Sequence, residues 1–433
     1  MKIYIDAYKQ EFDLTNEQTD LVLTAVDELK KGSRLFQYSA PAGCGKSVVL
    51  HAIIQILGYA EDEIAPMAYM GSAAMIMRRN GFTNAKTCHS WLFNVTTDYD
   101  FDMSGHRVYK TNFVPRTLDR NKIKLIVIDE GSMIPYELRN IIERNRIPVL
   151  VCGDLDQLQP IESESAYLSF GKVHKLTKIM RQTQGSSIIY LSNRLREGLP
   201  IQPGDYKEVL VIPYESVTDD MLLKSESIIC GYNSTRDDIT AYIRQKLGFT
   251  GYIPYPGEKV VCRENNWEIV EGDVNLVNGM LGHCVSKDAS ISRMKDTDGF
   301  YMDFEPLIFP GLVFKDIVCS YRYFTADYTV RKKMRSEERE SPIGRKNKYN
   351  KFEFGYAITT HMSQGNQYKN GMYFEQSFRD SYMQAKLNYT GITRFIDHCI
   401  YVLPKYGGIS MPPPAIEYTP NKCLMYINGQ PQI

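Results

Sequence analysis

The chain has 433 residues, 43% of them hydrophobic and 24% charged, which is long enough for about two to four folded domains and too apolar for a disordered chain. Its 51 Lys and Arg residues balance 51 Asp and Glu residues, so bulk charge excludes no partner and any polyanion site must be local. The nine cysteines form no Cys-x-x-Cys pair, and neither a signal peptide nor an apolar run of about 18 residues is present. These features predict a cytoplasmic protein with reduced thiols and no membrane contact.

Short apolar runs that end in polar or glycine residues recur along the chain and predict buried parallel strands. They lie at residues 35–38, 124–128, 147–152, 227–230 and 399–403. Helix-like segments separate them, at residues 47–57, 136–144, 186–196 and 234–247. This alternation predicts an α/β architecture, with a second α/β unit starting near residue 166. In such sheets ligands bind at the carboxyl ends of the strands.

Two stretches interrupt the alternation. Residues 94–120 are polar and aromatic, which predicts a small hairpin-like insertion, and residues 249–350 carry Pro, Gly and short alternating runs, which predict a small β domain. Basic residues cluster at 331–335 and 345–348, either as a solvated loop or as a surface for phosphates. The Pro-rich segment after residue 404 is predicted to be peripheral.

The segment Ser39–Ser47 reads SAPAGCGKS and predicts a phosphate-binding loop. Gly43 and Gly45 allow a turn in which consecutive backbone N–H groups point inward, while Lys46 reaches the β- and γ-phosphates and Ser47 binds Mg²⁺. The predicted nucleotide-binding residues are Ala42, Gly43, Cys44, Gly45, Lys46 and Ser47. A chance glycine-rich loop is the alternative, but a strand before the segment and an apolar helix after it argue against that.

Two further strand ends supply the chemistry that a phosphate-binding loop needs. Asp129 and Glu130 end the run KLIVIDE, where Asp129 can hold the Mg²⁺ shell and Glu130 can polarise the attacking water. The next strand leads into GDLDQLQP, in which Gln157 is a candidate sensor of the γ-phosphate. Standing alone, Gln157 would be an ordinary loop amide.

The order of motifs along the chain resembles the superfamily 1B DNA helicases of the RecD type, and most closely the Dda helicases of bacteriophages. Seven motifs carry the resemblance, over about residues 12 to 403: APAGCGKS, TCHSW, VIDEGSM, GDLDQLQP, KIMRQ, ITTHMSQG and NYTGITR. The resemblance implies two RecA-like P-loop motor domains, 1A and 2A, with ATP and Mg²⁺ between them. It also implies 5′ to 3′ translocation on single-stranded DNA and unwinding of forked duplex DNA.

The resemblance assigns the domains as follows: 1–92 and 121–165 to domain 1A, 93–120 to a 1B pin insertion, 166–248 and 351–404 to domain 2A, 249–350 to an SH3-like β 2B insertion, and 405–433 to a C-terminal tail. It further implies a monomer that acts in DNA replication or recombination, in the host cytoplasm if a phage encodes it. Single-strand-binding or replisome proteins would be its protein partners.

The resemblance also assigns residues. Gln18, in FDLTNEQ, would contact adenine, and Arg181 and Arg394 would reach the γ-phosphate from domain 2A, where arginine stabilises the charge of the reacting phosphoryl group. The predicted DNA contacts are Ser72, Thr87, His89, Thr359, His361, Ser363, Gln364 and Gly365. Tyr99, Phe101 and Tyr109 are candidates for the pin that stacks on the junction base pair, unless they form a small local core.

The sequence departs from the family pattern at three places. Ala40 replaces the first glycine of the phosphate-binding loop, and Met362 stands where motif V commonly has Lys. The segment Tyr69–Ala74 lacks the Pro-Thr of motif Ia, so Ser72 is the least supported DNA contact. Two other functions stay open: an RNA-directed superfamily 1 helicase, and a nucleotide-controlled protein-binding ATPase that does not translocate, against which the motifs TCHSW and ITTHMSQG argue.

Overall fold

Two mainly parallel β-sheets organise the chain in the computed structural model. The structure describes residues 1–101, 107–159, 165–178, 186–272, 274–286, 299–325, 330–331, 333–334, 349–404, 425–427 and 430–432. The α-helices are α1 Asn16–Lys30, α2 Lys46–Leu57, α3 Gly71–Arg79, α4 Cys88–Leu92, α5 Tyr136–Arg144, α6 Ser187–Arg196, α7 Asp219–Lys224, α8 Asn233–Lys246, α9 Arg322–Thr325, α10 Thr360–Ser363 and α11 Ser381–Ile392. Short 3₁₀ helices span Asp6–Tyr8, Glu61–Glu63, Gly131–Met133 and Tyr214–Ser216.

Five of the strands lie at the predicted apolar runs to within a few residues. The strands are β1 Lys2–Ile5, β2 Gln10–Asp13, β3 Leu35–Ser39, β4 Ile64–Ala68, β5 Lys86–Thr87, β6 Phe93–Phe101, β7 Arg107–Pro115, β8 Leu125–Asp129, β9 Val149–Gly153, β10 His174–Lys175, β11 Gly204–Asp205, β12 Val209–Pro213, β13 Ser227–Cys230, β14 Lys259–Cys262, β15 Asn266–Glu271, β16 Val274–Leu276, β17 Leu281–Cys284, β18 Gly299–Pro306, β19 Phe314–Ser320, β20 Phe352–Phe354, β21 Ala357–Thr359, β22 Tyr368–Phe374, β23 Phe395–Leu403, β24 Met425–Ile427 and β25 Gln430–Gln432.

The first domain is built on a six-stranded parallel sheet with the order β10-β3-β9-β8-β4-β5. Helices α1 and α2 cover one face, and α5 packs on the other. Because both faces are covered, the central strands are apolar throughout. Apart from Gln37, which is buried in β3, the polar residues of these strands lie at their carboxyl ends along one edge of the sheet.

The second domain repeats this plan with the strand order β11-β12-β23-β22-β13-β21, in which β11 alone runs antiparallel to its neighbour. Ile188 and Leu191 of α6 and Ile392 of α11 pack on one face. Ile239 and Ile243 of α8 pack on the other. The chain thus has two α/β domains, as its alternating pattern predicts.

Two segments depart from the α/β plan. Strands β6 and β7 form an antiparallel hairpin in the first domain. A five-stranded antiparallel sheet, β19-β18-β17-β14-β20, has its own core around Phe300, Phe304 and Phe352. The last strand of this sheet, β20, lies beyond the predicted limit of residue 350. An SH3-like fold for this sheet stays a prediction.

The first sheet keeps the chain longer than the predicted boundary at residue 166. Strand β10 pairs with β3, and Tyr167, Leu168 and Leu176 are buried in the cores of the first domain. The first domain therefore extends at least to Leu176, because burial of these apolar side chains fixes the segment to the first sheet.

The eight cysteines that the structure describes are buried free thiols, as predicted. Within the described ranges no helix is both long enough and apolar enough to cross a membrane.

Candidate active site

The loop between β3 and α2 has the backbone that phosphate binding requires. Gly43 and Gly45 adopt φ angles of 82° and 80°, a left-handed conformation that glycine reaches without steric cost. Ala40 is 2% exposed, and its N–H donates to the carbonyl oxygen of Gly153 at 2.9 Å. Since the methyl group of Ala40 is buried in the core of the first domain, the fold accommodates this departure from the family pattern.

Lys46 lies between two carboxylates at the head of α2. Its Nζ is 2.8 Å from Oδ1 of Asp129 and 2.9 Å from Oε1 of Glu130, and the three side chains are only 16–18% exposed. Burial by itself would lower the pKa of Lys46, but the two carboxylates raise it well above its usual range. Burial likewise opposes ionisation of Asp129, yet the charge of Lys46 leaves the pKa of Asp129 below its ordinary value. Lys46 and Asp129 therefore both carry charge at neutral pH.

Glu130 directs its side chain from an unusual backbone conformation. Its φ angle is 53°, a region that non-glycine residues seldom occupy and that is typical of functional sites. The N–H of Glu130 donates to Oδ1 of Asp129 at 2.8 Å. This tight turn lets consecutive residues at the end of β8 both contact Lys46.

One cavity of about 400 Å³ brings most of the predicted catalytic residues together. The first domain lines it with Ala42, Gly43, Gly45, Lys46, Ser47, Asp129, Glu130 and Gln157, and the second domain with Asn366, Gln367, Thr393 and Arg394. The volume falls in the range of small-molecule sites, and such sites often lie between domains. Arg181 lies outside the described residues, so its predicted role stays a prediction.

Arg394 reaches the cavity from the end of α11. It is 6% exposed, its Nε donates to the carbonyl oxygen of Thr390 at 3.1 Å, and its Nη2 donates to Oγ1 of Thr393 at 3.4 Å. A cation is favoured at a helix carboxyl end, where the backbone carbonyl groups lack helical partners. The helix end thus holds the guanidinium at the wall of the cavity.

Gln18 does not line this cavity. Its side chain is 1% exposed, its Oε1 accepts from the N–H of Thr15 at 3.0 Å, and its Nε2 donates to the carbonyl oxygen of Cys44 at 2.8 Å. Gln18 therefore caps α1 and supports the phosphate-binding loop from behind. The adenine contact predicted for it stays a prediction, and Cys44, itself 1% exposed, turns its side chain into the core.

Two functional residues were missed by the sequence reasoning. Oδ2 of Asp154 accepts from the hydroxyl of Tyr389 at 2.6 Å and from Nε2 of Gln157 at 3.3 Å. The N–H of Ala42 donates to the same Tyr389 hydroxyl at 2.9 Å. The available signals were that Asp154 directly follows β9 and that Tyr389 opens the motif YTGITR, but nothing local shows that they meet.

Several predicted DNA contacts have structural roles instead. Ser363 is fully buried and donates to the carbonyl oxygen of Thr360 at 2.8 Å. Gln364 is 3% exposed, and its Nε2 donates to the carbonyl oxygen of Leu158 at 2.8 Å. Neither side chain can reach a nucleic acid in this arrangement of the domains, and their role as DNA contacts stays a prediction.

The buried threonines and Ser72 are no more accessible. Thr87 and Thr359 are 3% and 6% exposed, and their hydroxyls cap α4 and α10. Ser72 is 4% exposed and has no hydrogen-bond partner among the described residues. It lies against Gly365, where an added Cβ would come within 3.2 Å of its Oγ. None of these three hydroxyls is accessible to a nucleic acid in this structure, and their role as DNA contacts stays a prediction.

His89 and His361 are the predicted DNA contacts that remain partly exposed. Burial lowers the pKa of both imidazoles, so both are neutral at pH 7. His89 stacks on Phe93 at a centroid distance of 5.5 Å. These imidazoles can therefore offer hydrogen bonds and stacking to a strand, but no charge.

The hairpin is fixed to the helix that carries His89. Nε of Arg116 donates to the carbonyl oxygen of Trp91 at 2.7 Å, and Nη2 donates to that of Ser90 at 2.8 Å. Along the hairpin, the backbone register places Tyr99 opposite Tyr109 and Phe101 opposite Arg107. The side chains of the three pin candidates lie outside the described residues.

Ser47 and Asp129 offer a hydroxyl and an ionised carboxylate at the cavity wall. Mg²⁺ prefers hard oxygen ligands and is usually held by one or two carboxylates together with phosphates of the substrate. The donor set therefore fits Mg²⁺ bound to a nucleotide.

Comparison with protein families supports this picture in the first half of the chain. Residues 13–208 match the family model of the AAA domain. The ATP-dependent DNA helicase RRM3 of Saccharomyces cerevisiae is 28% identical over 212 residues, which are 43% of this chain and 28% of that protein. The uncharacterized protein MJ1519 of Methanocaldococcus jannaschii is 28% identical over 153 residues, 33% of this chain and 13% of that protein. This chain spans less than a third of the length of either relative.

Solved structures resemble the chain over nearly its whole length. The Pif1 helicase from Bacteroides in complex with ADP-AlF3 and ssDNA has a TM-score of 0.51 at 17% identity, over 90% of this chain and 92% of that one. A structure of two coordinating Pif1 helicases, solved to explain unwinding at forked dsDNA, has a TM-score of 0.50 at 18% identity over the same shares. The predicted fold of two RecA-like domains is confirmed, and membership of the superfamily 1B helicases stays a prediction. The narrower resemblance to RecD-type and Dda helicases stays a prediction.

Proposed function

We propose that this chain, which has the two-domain fold of the superfamily 1B helicases, is an ATP-dependent helicase that moves 5′ to 3′ on single-stranded DNA and unwinds duplexes. The observation that carries the proposal is the shared cavity. Lys46 and two carboxylates enter it from the first domain, and Arg394 enters it from the second. A site split between two domains makes each hydrolysis event a change in how the domains meet, which is what a translocating motor requires.

ATP would bind with its phosphates on the backbone N–H groups between Gly43 and Ser47. Lys46 would exchange its carboxylate partners for the β- and γ-phosphates, and Ser47 and Asp129 would hold Mg²⁺. Glu130 is thereby freed to polarise the attacking water. Arg394, together with Arg181, would stabilise the charge that develops on the γ-phosphoryl oxygens.

Single-stranded DNA would cross both domains along the predicted motifs. His89 and His361 are the predicted DNA contacts whose side chains offer exposed surface. Contacts of this kind bind the sugar–phosphate chain without reading its sequence. The hairpin with Tyr99, Phe101 and Tyr109 would then separate the duplex ahead of the motor.

Relatives and solved structures named as DNA helicases favour DNA over RNA as the track, but the motor motifs alone do not discriminate. ATP hydrolysis should be measured with DNA and RNA oligonucleotides of matched sequence. Greater stimulation by RNA would support the RNA-directed alternative. Equal hydrolysis with and without any nucleic acid would support a protein-binding ATPase.

Direction is tested with forked substrates that carry a single 5′ or a single 3′ tail. We expect ATP-dependent unwinding from the 5′ tail alone, and unwinding only from the 3′ tail would refute the proposed polarity. Lys46→Ala serves as the inactive control. Lys31→Ala removes an exposed lysine, 74% accessible, from the same domain and should leave unwinding unchanged.

A further inference from the structure

Tyr389 of the second domain ends its side chain inside the first domain. The residue is 1% exposed, so water does not satisfy its hydroxyl. The N–H of Ala42 donates to the hydroxyl at 2.9 Å, and the hydroxyl donates to Oδ2 of Asp154 at 2.6 Å. A phenol has one proton to donate, so an ionised Asp154 fixes the direction of both hydrogen bonds.

The same carboxylate oxygen is also the acceptor for the candidate sensor. Nε2 of Gln157 lies 3.3 Å from Oδ2 of Asp154, which is long for an N–H···O bond, whereas the bond from Tyr389 is short. Oδ2 of Asp154 thus accepts from both residues, and the bond from Gln157 is the longer and weaker of the two.

The loop that carries Asp154 and Gln157 is held by the second domain at other points too. Lys386 donates to the carbonyl oxygen of Leu155 at 3.0 Å, and the N–H of Leu158 donates to Oγ1 of Thr390 at 3.1 Å. Lys386, Tyr389 and Thr390 all belong to α11. This helix therefore approaches the sensor loop as a unit, and Tyr389 would leave Asp154 if the domains separated.

Building on the proposed function, we propose that Tyr389 is a positioning residue that makes ATP hydrolysis depend on closure of the two domains. In the closed arrangement Tyr389 satisfies Asp154, so the long bond from Gln157 to Asp154 can break in favour of the γ-phosphate. In an open arrangement Asp154 loses that donor and captures the amide of Gln157. The switch needs no new charge, since one hydrogen-bond donor replaces another on the same oxygen.

The test is a double-mutant cycle on DNA-stimulated kcat. Tyr389→Phe removes only the hydroxyl, and we expect kcat to fall roughly 10- to 100-fold with little change in the Kd for ATP. In a Gln157→Ala background the same substitution should have almost no further effect, because Tyr389 acts through Gln157. Tyr373→Phe is the matched control: it deletes a buried hydroxyl, bonded to Asn388 at 2.9 Å, that does not contact the first domain.

Asp154→Ala supplies a second variant, which decides the matter if Tyr389→Phe does not fold. Without the capturing carboxylate, Gln157 is free in both arrangements, so hydrolysis without DNA should rise toward the DNA-stimulated rate. A fall of both rates together would overturn the inference, as would equal losses from Tyr389→Phe in the presence and absence of Gln157. If the variants give either of these results while wild-type protein shows DNA-stimulated hydrolysis, only the inference is refuted. If wild-type protein hydrolyses no ATP, the proposed function is refuted as well.

Discussion

Lys46 should stabilise the folded protein as well as bind phosphate. Lys46→Ala leaves Asp129 and Glu130 side by side in a site where each is less than a fifth exposed. Removing one partner of a buried ion pair costs about 3–5 kcal/mol, because the remaining charge is left uncompensated. For a domain of this size each kcal/mol lowers Tm by roughly 2–4 °C, so the expected loss is about 6–20 °C.

The assay is thermal or urea unfolding in the absence of nucleotide and divalent cations. Lys46→Met should be destabilised similarly, and adding Asp129→Asn should recover part of the stability while ATP hydrolysis stays absent. Lys31→Ala, whose pair with Asp27 is exposed, should cost about 1 kcal/mol or less. If the free energy of unfolding of Lys46→Ala lay within about 1 kcal/mol of the wild-type value, the buried contacts of Lys46 with Asp129 and Glu130 would not stabilise the protein in solution.

Three further outcomes follow from the site. Arg394→Ala should still bind ATP, as measured with a fluorescent nucleotide, but its kcat should fall by roughly 10³-fold or more. The reason is that arginine stabilises charge that develops only during phosphoryl transfer. Loss of ATP affinity with an unchanged kcat would contradict this. Burial raises the pKa of Asp154 to about 6. The hydrogen bond from Tyr389 opposes this rise, and Asp156 and Glu130 have smaller effects. A carboxyl whose pKa is raised on folding destabilises the folded state at pH values above that pKa. Asp154→Asn should therefore raise the free energy of unfolding by up to about 3 kcal/mol relative to wild type at pH 7.5, and by little near pH 4. Equal differences at both pH values in unfolding experiments would refute the raised pKa. Gln364→Ala should lower the free energy of unfolding by about 1–3 kcal/mol, because it leaves the buried carbonyl of Leu158 without its hydrogen bond. The affinity for single-stranded DNA should be unchanged, and a large loss of affinity would instead support the predicted DNA contact.

The sequence predicts the candidate site correctly where its residues lie at a strand end, because short segments of sequence determine those positions. The phosphate-binding loop, Asp129 and Glu130 lie where the sequence places them, since glycine spacing and buried apolar runs are properties of short segments. Helix α5 was predicted with its observed limits for the same reason. Long-range packing decides the rest. Nothing near Gln364 shows that Leu158 will accept its hydrogen bond, and nothing near Tyr167 shows that the first sheet will retain it.

The anchoring of Arg116 gives the hairpin a mechanical property. Strand β6 has nine residues and extends roughly 30 Å at the usual rise of a strand. Because Arg116 ties the hairpin base to Ser90 and Trp91 of α4, a rotation of that helix by about 10° would displace the far end of the strand by about 5 Å. The hairpin would thus act as a lever that pivots beside His89. Under the proposed function, a small adjustment of α4 to a DNA strand would move the far end of the hairpin by more than the spacing between stacked bases.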